Sequence, residues 1–205
     1  MATTCPVNFD IQKLKELVRA EYDRVAREPH GKFHFHRGPQ YAAEMLRYDP
    51  DELAFIPAES TASFAGVGNP HRIGPIGLGE TILDVGCGAG TDLLLAARHA
   101  GPNGRAIGVD MTPAMLELVR RSALKIGLWE HIEVHRGHAE ELPVQNESVD
   151  VVISNGVLNL SPDKLSAFGE IYRVLRPAGR LYLADVVVQR ELSLAARSDV
   201  DLWAA

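Results

Sequence analysis

Cysteine is nearly absent from this 205-residue chain. Cys5 stands near the amino end and Cys87 inside a glycine-rich loop, which leaves no disulfide framework and points to a reducing, cytoplasmic address. No stretch of eighteen apolar residues occurs, and the opening MATTCPVNFD has no basic region followed by an apolar core. Neither a membrane span nor a secretory leader is therefore expected. Long basic runs are missing as well. With 21 Lys and Arg against 27 Asp and Glu the formal net charge is -6, which argues against a nucleic acid held by phosphate neutralisation. Internal repeats and low-complexity tracts are also lacking. What remains, 46% hydrophobic and 23% charged, is the composition of one globular domain with an added segment.

The most informative stretch that is present is LDVGCGAGTD, from Leu83 to Asp92. Asp84 sits within an apolar run, and Gly86, Gly88 and Gly90 follow in alternation. Alternating glycines let the backbone turn sharply out of a strand and admit a ligand where a Cβ would block it. A diphosphate would be repelled by Asp84, whereas an amino acid ammonium beside a sulfonium would be stabilised. The third glycine of a dinucleotide loop would fall at position 91, where the chain has Thr91, so the spacing also argues against NAD. Further on, GRAIGVDMTPAM reads as a short buried strand ending at Asp110, with Thr112 and Pro113 opening a helix. A carboxylate at the end of a neighbouring parallel strand can accept both hydroxyls of a ribose, and Met111 beside it can lie against a purine.

Along the chain, Ile11, Leu14, Leu17, Val18, Tyr22 and Val25 recur at helical spacing between Asp10 and Arg27. Pro29 to Pro39 breaks that period. Gln40 to Tyr48 and Asp51 to Phe55 read as short helices, and Ser63 to Gly79 as a loop rich in Gly and Pro. From about Glu80, strands and helices alternate. The strands fall at Thr81 to Val85, Arg105 to Val109, Ile132 to His135, Val149 to Ser154 and Gly179 to Val188. The helices fall at Asp92 to His99, Pro113 to Ile126 and Asp163 to Leu175, the last capped by Ser161 with Pro162 first. Apolar strands in βα alternation predict an α/β fold: a Rossmann-like, doubly wound parallel sheet with its crevice at the carboxyl strand ends. The expected division is a helical cover or lid at 1–79, a core at 80–190 and a short tail at 191–205.

The segments LDVGCGAG, IGVDMTPAML, RGHAEELP, SVDVVISNGVLNL and RVLRPAGRLYLADV, spread over Thr81 to Val187, resemble in order and spacing the class I S-adenosylmethionine-dependent methyltransferases. Within that superfamily the chain is similar to the arsenite methyltransferase branch, through VDMTPAML, SNGVLNLSPDK, the upstream GVGNP and VRAEYDRVA near the amino end. The resemblance implies S-adenosyl-L-methionine as cofactor and a small molecule as methyl acceptor. It implies that Asp84, Gly86, Cys87, Gly88 and Gly90 hold the methionine part, that Asp110 binds the ribose, and that Met111 packs on adenine. His138 and Ala139 would lie at the adenine edge, Asn155 would face the reactive centre, and Tyr22 would close over the cofactor. Relatives often carry an acid at the position of His138.

The departures bear on the acceptor. Arsenite methyltransferases usually place a cysteine just before the GNP turn and another in the SN-x-V segment, because trivalent arsenic is soft and is held by thiolates; here these positions are Val67 and Gly156. The family continues beyond the position of DLWAA into a further region with another cysteine and usually ends its sheet with a reversed hairpin. The residues after Val188 are too few for that hairpin, so the fifth-strand edge is expected to be covered by a second copy of the chain or by the tail. The run KFHFHRG sets His34 and His36 on one side, if extended, and Phe33 and Phe35 on the other. Three readings of it compete: a metal site, an acceptor-binding or proton-accepting pair, and plain packing. No metal spacing is satisfied, so no metal is expected. Asn159, in the same segment as Asn155, is a further candidate for the acceptor. A rival to an active methyltransferase is a cofactor-binding or assembly protein with the same fold and no methyl transfer.

Overall fold

The computed structural model describes residues 9–187, 189 and 193–204. The amino-terminal periodic segment forms helix α1 (Ile11–Arg27), started by the Asp10 carboxylate, which accepts from the Lys13 amide at 2.8 Å, and buried through Leu14, Val18 and Val25. Helices α2 (Gly38–Leu46), α3 (Pro50–Phe55) and α4 (Ala58–Ala62) follow, and a short 3₁₀ turn covers Pro70–Arg72. Helix α2 begins two residues before the expected Gln40 because Pro39 fits a first helical turn, and it ends at Arg47, whose φ of 62° is left-handed.

The core alternates β1 (Thr81–Val85), α5 (Thr91–Ala100), β2 (Arg105–Asp110), α6 (Pro113–Lys125), β3 (Ile132–Arg136), β4 (Val149–Asn155), α7 (Lys164–Val174) and β5 (Leu175–Ala184). The strands make one sheet in the order β3-β2-β1-β4-β5, with every neighbouring pair parallel. Side chains alternate across it. Leu83, Val85, Val109 and Val152 pack with Ala167, Ile171 and Val174 of α7 on one face, while Ile82, Val151 and Ile153 meet Ala96 and Ala100 of α5 on the other. The expected Rossmann-like α/β fold is thus present. Chain order reverses between β1 and β4, which is where such a sheet opens a crevice at its carboxyl ends.

The strands match the sequence reading except at β5. Pairing begins at Leu175, directly after α7, and a register shift between Val149 and Val151 takes up the RPAG turn, in which Ala178 has φ 66°. Gly179 therefore lies inside the strand instead of opening it, because the turn is a bulge and not a break. The strand stops at Ala184; Val188, its expected end, lies outside the described residues. The cap of α7 is Asp163, whose carboxylate accepts from the Ser166 amide at 3.1 Å, and not Ser161, whose hydroxyl instead donates to Glu140 at 2.6 Å.

Cover and core share apolar packing. Ala42, Tyr48, Leu53, Ile56 and Phe64 cluster with Leu93, Leu94, Leu95, Val119 and Ile132, and Val25 of α1 packs with Ala89, Met115 and Leu118. After β5, helices α8 (Leu194–Ser198) and α9 (Val200–Ala204) return toward α1, where the Trp203 and Phe9 rings lie 4.9 Å apart. Among the described residues no helix is long and apolar enough to cross a membrane.

Candidate functional site

A cleft of about 1090 Å³, its open mouth included, lies at the carboxyl ends of β1, β2 and β4. Its floor is the turn from β1 into α5. Gly86, Gly88 and Gly90 all have left-handed φ, at 72°, 51° and 88°. A Cβ at Gly86 would fall 2.3 Å from Val157 Cγ2, whereas one at Gly88 would meet nothing within 4 Å, so backbone shape alone requires glycine there. The amides of Gly86 and Cys87 donate to the Val109 carbonyl at 2.7 and 3.1 Å, which fastens the turn to β2.

Three carboxylates stand around this turn, Asp84 and Asp92 buried and Asp110 partly buried, and their surroundings differ. Asp84 is 2% exposed, and its Oδ2 has no hydrogen-bond partner. Burial first, then the negative charges of Asp92 and Asp110, hold its carboxyl well above the usual range. Asp110 accepts the Thr112 amide on Oδ1 at 2.8 Å and the Gly88 amide on Oδ2 at 2.9 Å. Burial raises its pKa, and these amides, the Thr112 side chain and His138 only reduce the rise. Asp92 accepts the Tyr48 hydroxyl at 2.6 Å on one oxygen and the Asn155 amide at 3.0 Å on the other.

Of the sequence candidates, Tyr22, Asp84, Gly86, Cys87, Gly88, Asp110, Met111, His138, Ala139 and Asn155 all line the cleft. Gly90 lies beneath it as the residue before α5. The Tyr22 phenol is pushed up to about 12 by burial, then by Asp110 and Glu21, so it is neutral. Burial, then Lys15, lowers the pKa of His138. The Cys87 thiol is pushed well up by burial and by Asp110 and Asp84, so it remains a thiol.

Asn155 is occupied in a way the sequence did not reveal. Its Oδ1 accepts the Val67 and Gly68 amides at 2.8 and 3.1 Å, and its Nδ2 lies within 3.1 Å of the Tyr48 hydroxyl, the Gly68 carbonyl and Asp92. It ties the cover's 66–68 turn to the end of β4. Val67 and Gly156 face each other there, with a Cβ at Gly156 falling 3.2 Å from Val67 Cγ1.

His34, His36 and Asn159 are not among the lining residues. Phe33 lies between the guanidiniums of Arg24 and Arg37, at 4.2 and 3.8 Å from its ring centre, while His34 and His36 are exposed and rest on Phe35 and Tyr41. In the orientation that satisfies both ends of its amide, Asn159 donates to the Gly156 carbonyl and to Asp185 at 3.2 and 2.8 Å. Among the described residues no group of three or more His, Cys, Asp or Glu could hold a metal ion.

Several lining residues escaped sequence reasoning. Lys15 of α1 reaches Glu140 at 3.6 Å across the mouth, and Glu140 also holds Ser161. Asp92 stands in the quoted loop stretch, but its role depends on Tyr48, 44 residues away in sequence. No local pattern announces that pair.

The site fits a ligand with a buried cation and a diol. The unpartnered Oδ2 of Asp84 suits an ammonium, and the two held oxygens of Asp110 suit vicinal hydroxyls. Comparison with known proteins agrees. A methyltransferase domain family matches residues 76–204. An arsenite methyltransferase of Halobacterium salinarum is 47% identical over 145 residues, 71% of this chain and 37% of that protein. A second arsenite methyltransferase, from Aquipseudomonas alcaligenes, is 35% identical over 159 residues, 74% of this chain and 45% of that protein. The crystal structure of an arsenic(III) S-adenosylmethionine methyltransferase from Chlamydomonas reinhardtii superposes with a TM-score of 0.68 at 36% identity, over 82% of this chain and 55% of that one. The chain thus spans about half, or less, of the length of these relatives. With this sheet order, this glycine turn and this family match, the chain belongs to the class I S-adenosylmethionine-dependent methyltransferases, close to the arsenite methyltransferase branch.

Proposed function

We propose that the protein transfers a methyl group from S-adenosylmethionine to a small-molecule acceptor that is not gripped by thiolates at the 67 and 156 positions. The observation that carries the donor half is the buried, unpartnered Asp84 oxygen beside the glycine turn. When bound, S-adenosylmethionine supplies a methyl group activated by a sulfonium leaving group. Asp84 holds the ammonium end, and with it the negative charge stays away from the sulfur, where it would stabilise the ground state more than the transition state. Asp110 takes the ribose hydroxyls, Met111 lies on the base, and the neutral His138 and Ala139 line its edge. Leu14, Val18 and Tyr22 of α1 close the cleft and exclude water, as expected of a cover over 1–79 working on a core at 80–190.

The acceptor half rests on Val67 and Gly156. Gly156 lines the cleft and Val67, 37% exposed, faces that glycine; this pair is the proposed acceptor wall, at the positions where the resemblance to the arsenite branch places cysteines, and the Cys87 thiol is held protonated. Incubation with isotopically labelled S-adenosylmethionine and candidate acceptors, arsenite included, followed by mass analysis tests the reading. A methylated small molecule supports it. Methylated arsenic as the sole product overturns the acceptor half, and donor binding with transfer to nothing returns the cofactor-binding alternative.

A further inference from the structure

The cover contributes one buried titratable group that the mechanism above does not use. His71 follows the 66–68 turn, in the 3₁₀ turn that Asn69 caps by accepting the His71 amide at 3.1 Å. Its side chain is 7% exposed. Nε2 lies 3.2 Å from Asp92 Oδ1, an ion-pair separation, yet neither ring nitrogen has an aligned hydrogen bond. A buried imidazole serving only to fill space would have at least one nitrogen bonded; here the nearest polar partner is a carboxylate that lines the cleft.

The same carboxylate receives Tyr48 and Asn155, and Asn155 holds the amides of Val67 and Gly68. His71 and the 66–68 turn are therefore joined twice, once through the chain and once through Asp92 and Asn155. The groups facing the imidazole are Asp92 and His99 of α5 and the Tyr48 ring, with Glu52 of α3 bonded to His99 at 2.7 Å behind it. The Asp92 carboxylate is the direct contact.

We propose that His71 is a positioning residue for the acceptor wall. Set against Asp92, it holds the carboxylate that anchors Asn155, locks the 66–68 turn, and leaves the donor end at Asp84 and Asp110 unaltered. The assignment of the turn to the acceptor rests on the function proposed above; the joint itself does not. A polar N–H is what a leucine cannot supply and a glutamine can.

Full-length wild type, His71→Gln and His71→Leu distinguish the roles. Amide-exchange protection at Val67 and Gly68, read by NMR, should be about tenfold lower in His71→Leu than in the wild type, the scale of one net hydrogen bond. His71→Gln, with an N–H of similar reach, should restore most of the protection. Calorimetric affinity for S-adenosylhomocysteine should match in all three. Equal protection in wild type and His71→Leu, or a glutamine variant as weak as the leucine one, overturns the proposal. Where the leucine variant does not fold, His71→Asn, too short to reach Asp92, takes its place: lost protection supports the proposal and unchanged protection overturns it. Failure of the wild type to bind S-adenosylhomocysteine sinks the donor-site reading alone, because the amide comparison does not depend on it.

Discussion

Asp84 and Asp92 are both buried beside the glycine turn, but only Asp92 has both oxygens partnered: it holds Tyr48 at 2.6 Å and Asn155 at 3.0 Å, while Asp84 accepts a backbone bond from Leu93 and its Oδ2 holds nothing. One carboxylate is built into the cover. The other keeps one oxygen free at the cleft, where the proposed cofactor would set its ammonium.

Without ligand, an ionised Asp84 should cost stability. Its carboxyl is held well above the usual range by burial, Asp92 and Asp110, so between the unfolded and folded pKa values the native state binds more protons. Stability from this group is therefore lost as pH rises through that window, opposite in sign to an ion-paired carboxylate. Asp84→Asn should raise the melting temperature of the ligand-free protein at neutral pH and show little difference from wild type at low pH. Melting curves of both forms across pH check this; a variant less stable at every pH would contradict it.

The glycine turn makes a second, graded prediction. Gly86→Ala meets both a left-handed φ of 72° and Val157 Cγ2 at 2.3 Å, whereas Gly88→Ala meets only its φ of 51°. Denaturant unfolding should show a loss of about 1 kcal/mol for Gly88→Ala. Gly86→Ala should lose about 2 to 4 kcal/mol, strain and overpacking together. A reversed order would mean that Val157 does not pack on the turn as described.

The Lys15 to Glu140 contact predicts a kinetic effect. At 3.6 Å, with side chains 29% and 16% exposed, the pair should contribute less than about 1 kcal/mol to folding. Because it joins α1 to the loop across the cleft, Lys15→Ala should leave unfolding nearly unchanged and speed dissociation of S-adenosylhomocysteine in stopped-flow. An unchanged off-rate would remove α1 from the role of cover.

Much of this was legible in the sequence, for identifiable reasons. Strands β1 and β4 are buried on both faces and read as apolar runs, and the glycine turn shows itself because three residues must adopt left-handed φ within five positions. The start of β5 was misplaced because RPAG looks like punctuation; only its pairing with β4 reveals a bulge within a strand. Tyr48, Asp92 and His71 were not assigned to the site because their meaning comes from contacts across 21 to 44 residues of sequence. Asn155 was placed at the cleft from its strand end, but its bonds to the 66–68 turn are 87 and 88 residues distant.

The acceptor wall gives a gain-of-function prediction. Val67 and Gly156 are neighbours, so on the proposed correspondence with the arsenite branch V67C together with G156C should create a soft two-thiolate site. The double variant should retain trivalent arsenic through gel filtration under reducing conditions where the natural chain does not. Equal retention by both would show that arsenic binding does not require thiols at these positions.

The most direct test of the central claim is a calorimetric titration of wild type and Asp84→Asn with S-adenosylmethionine and, separately, with NADH. Wild type should bind S-adenosylmethionine and not NADH, and Asp84→Asn should weaken the first by about 10- to 100-fold, the worth of a charge-assisted hydrogen bond in a buried site. Binding of NADH by wild type, or S-adenosylmethionine affinity indifferent to the loss of the Asp84 charge, would contradict it.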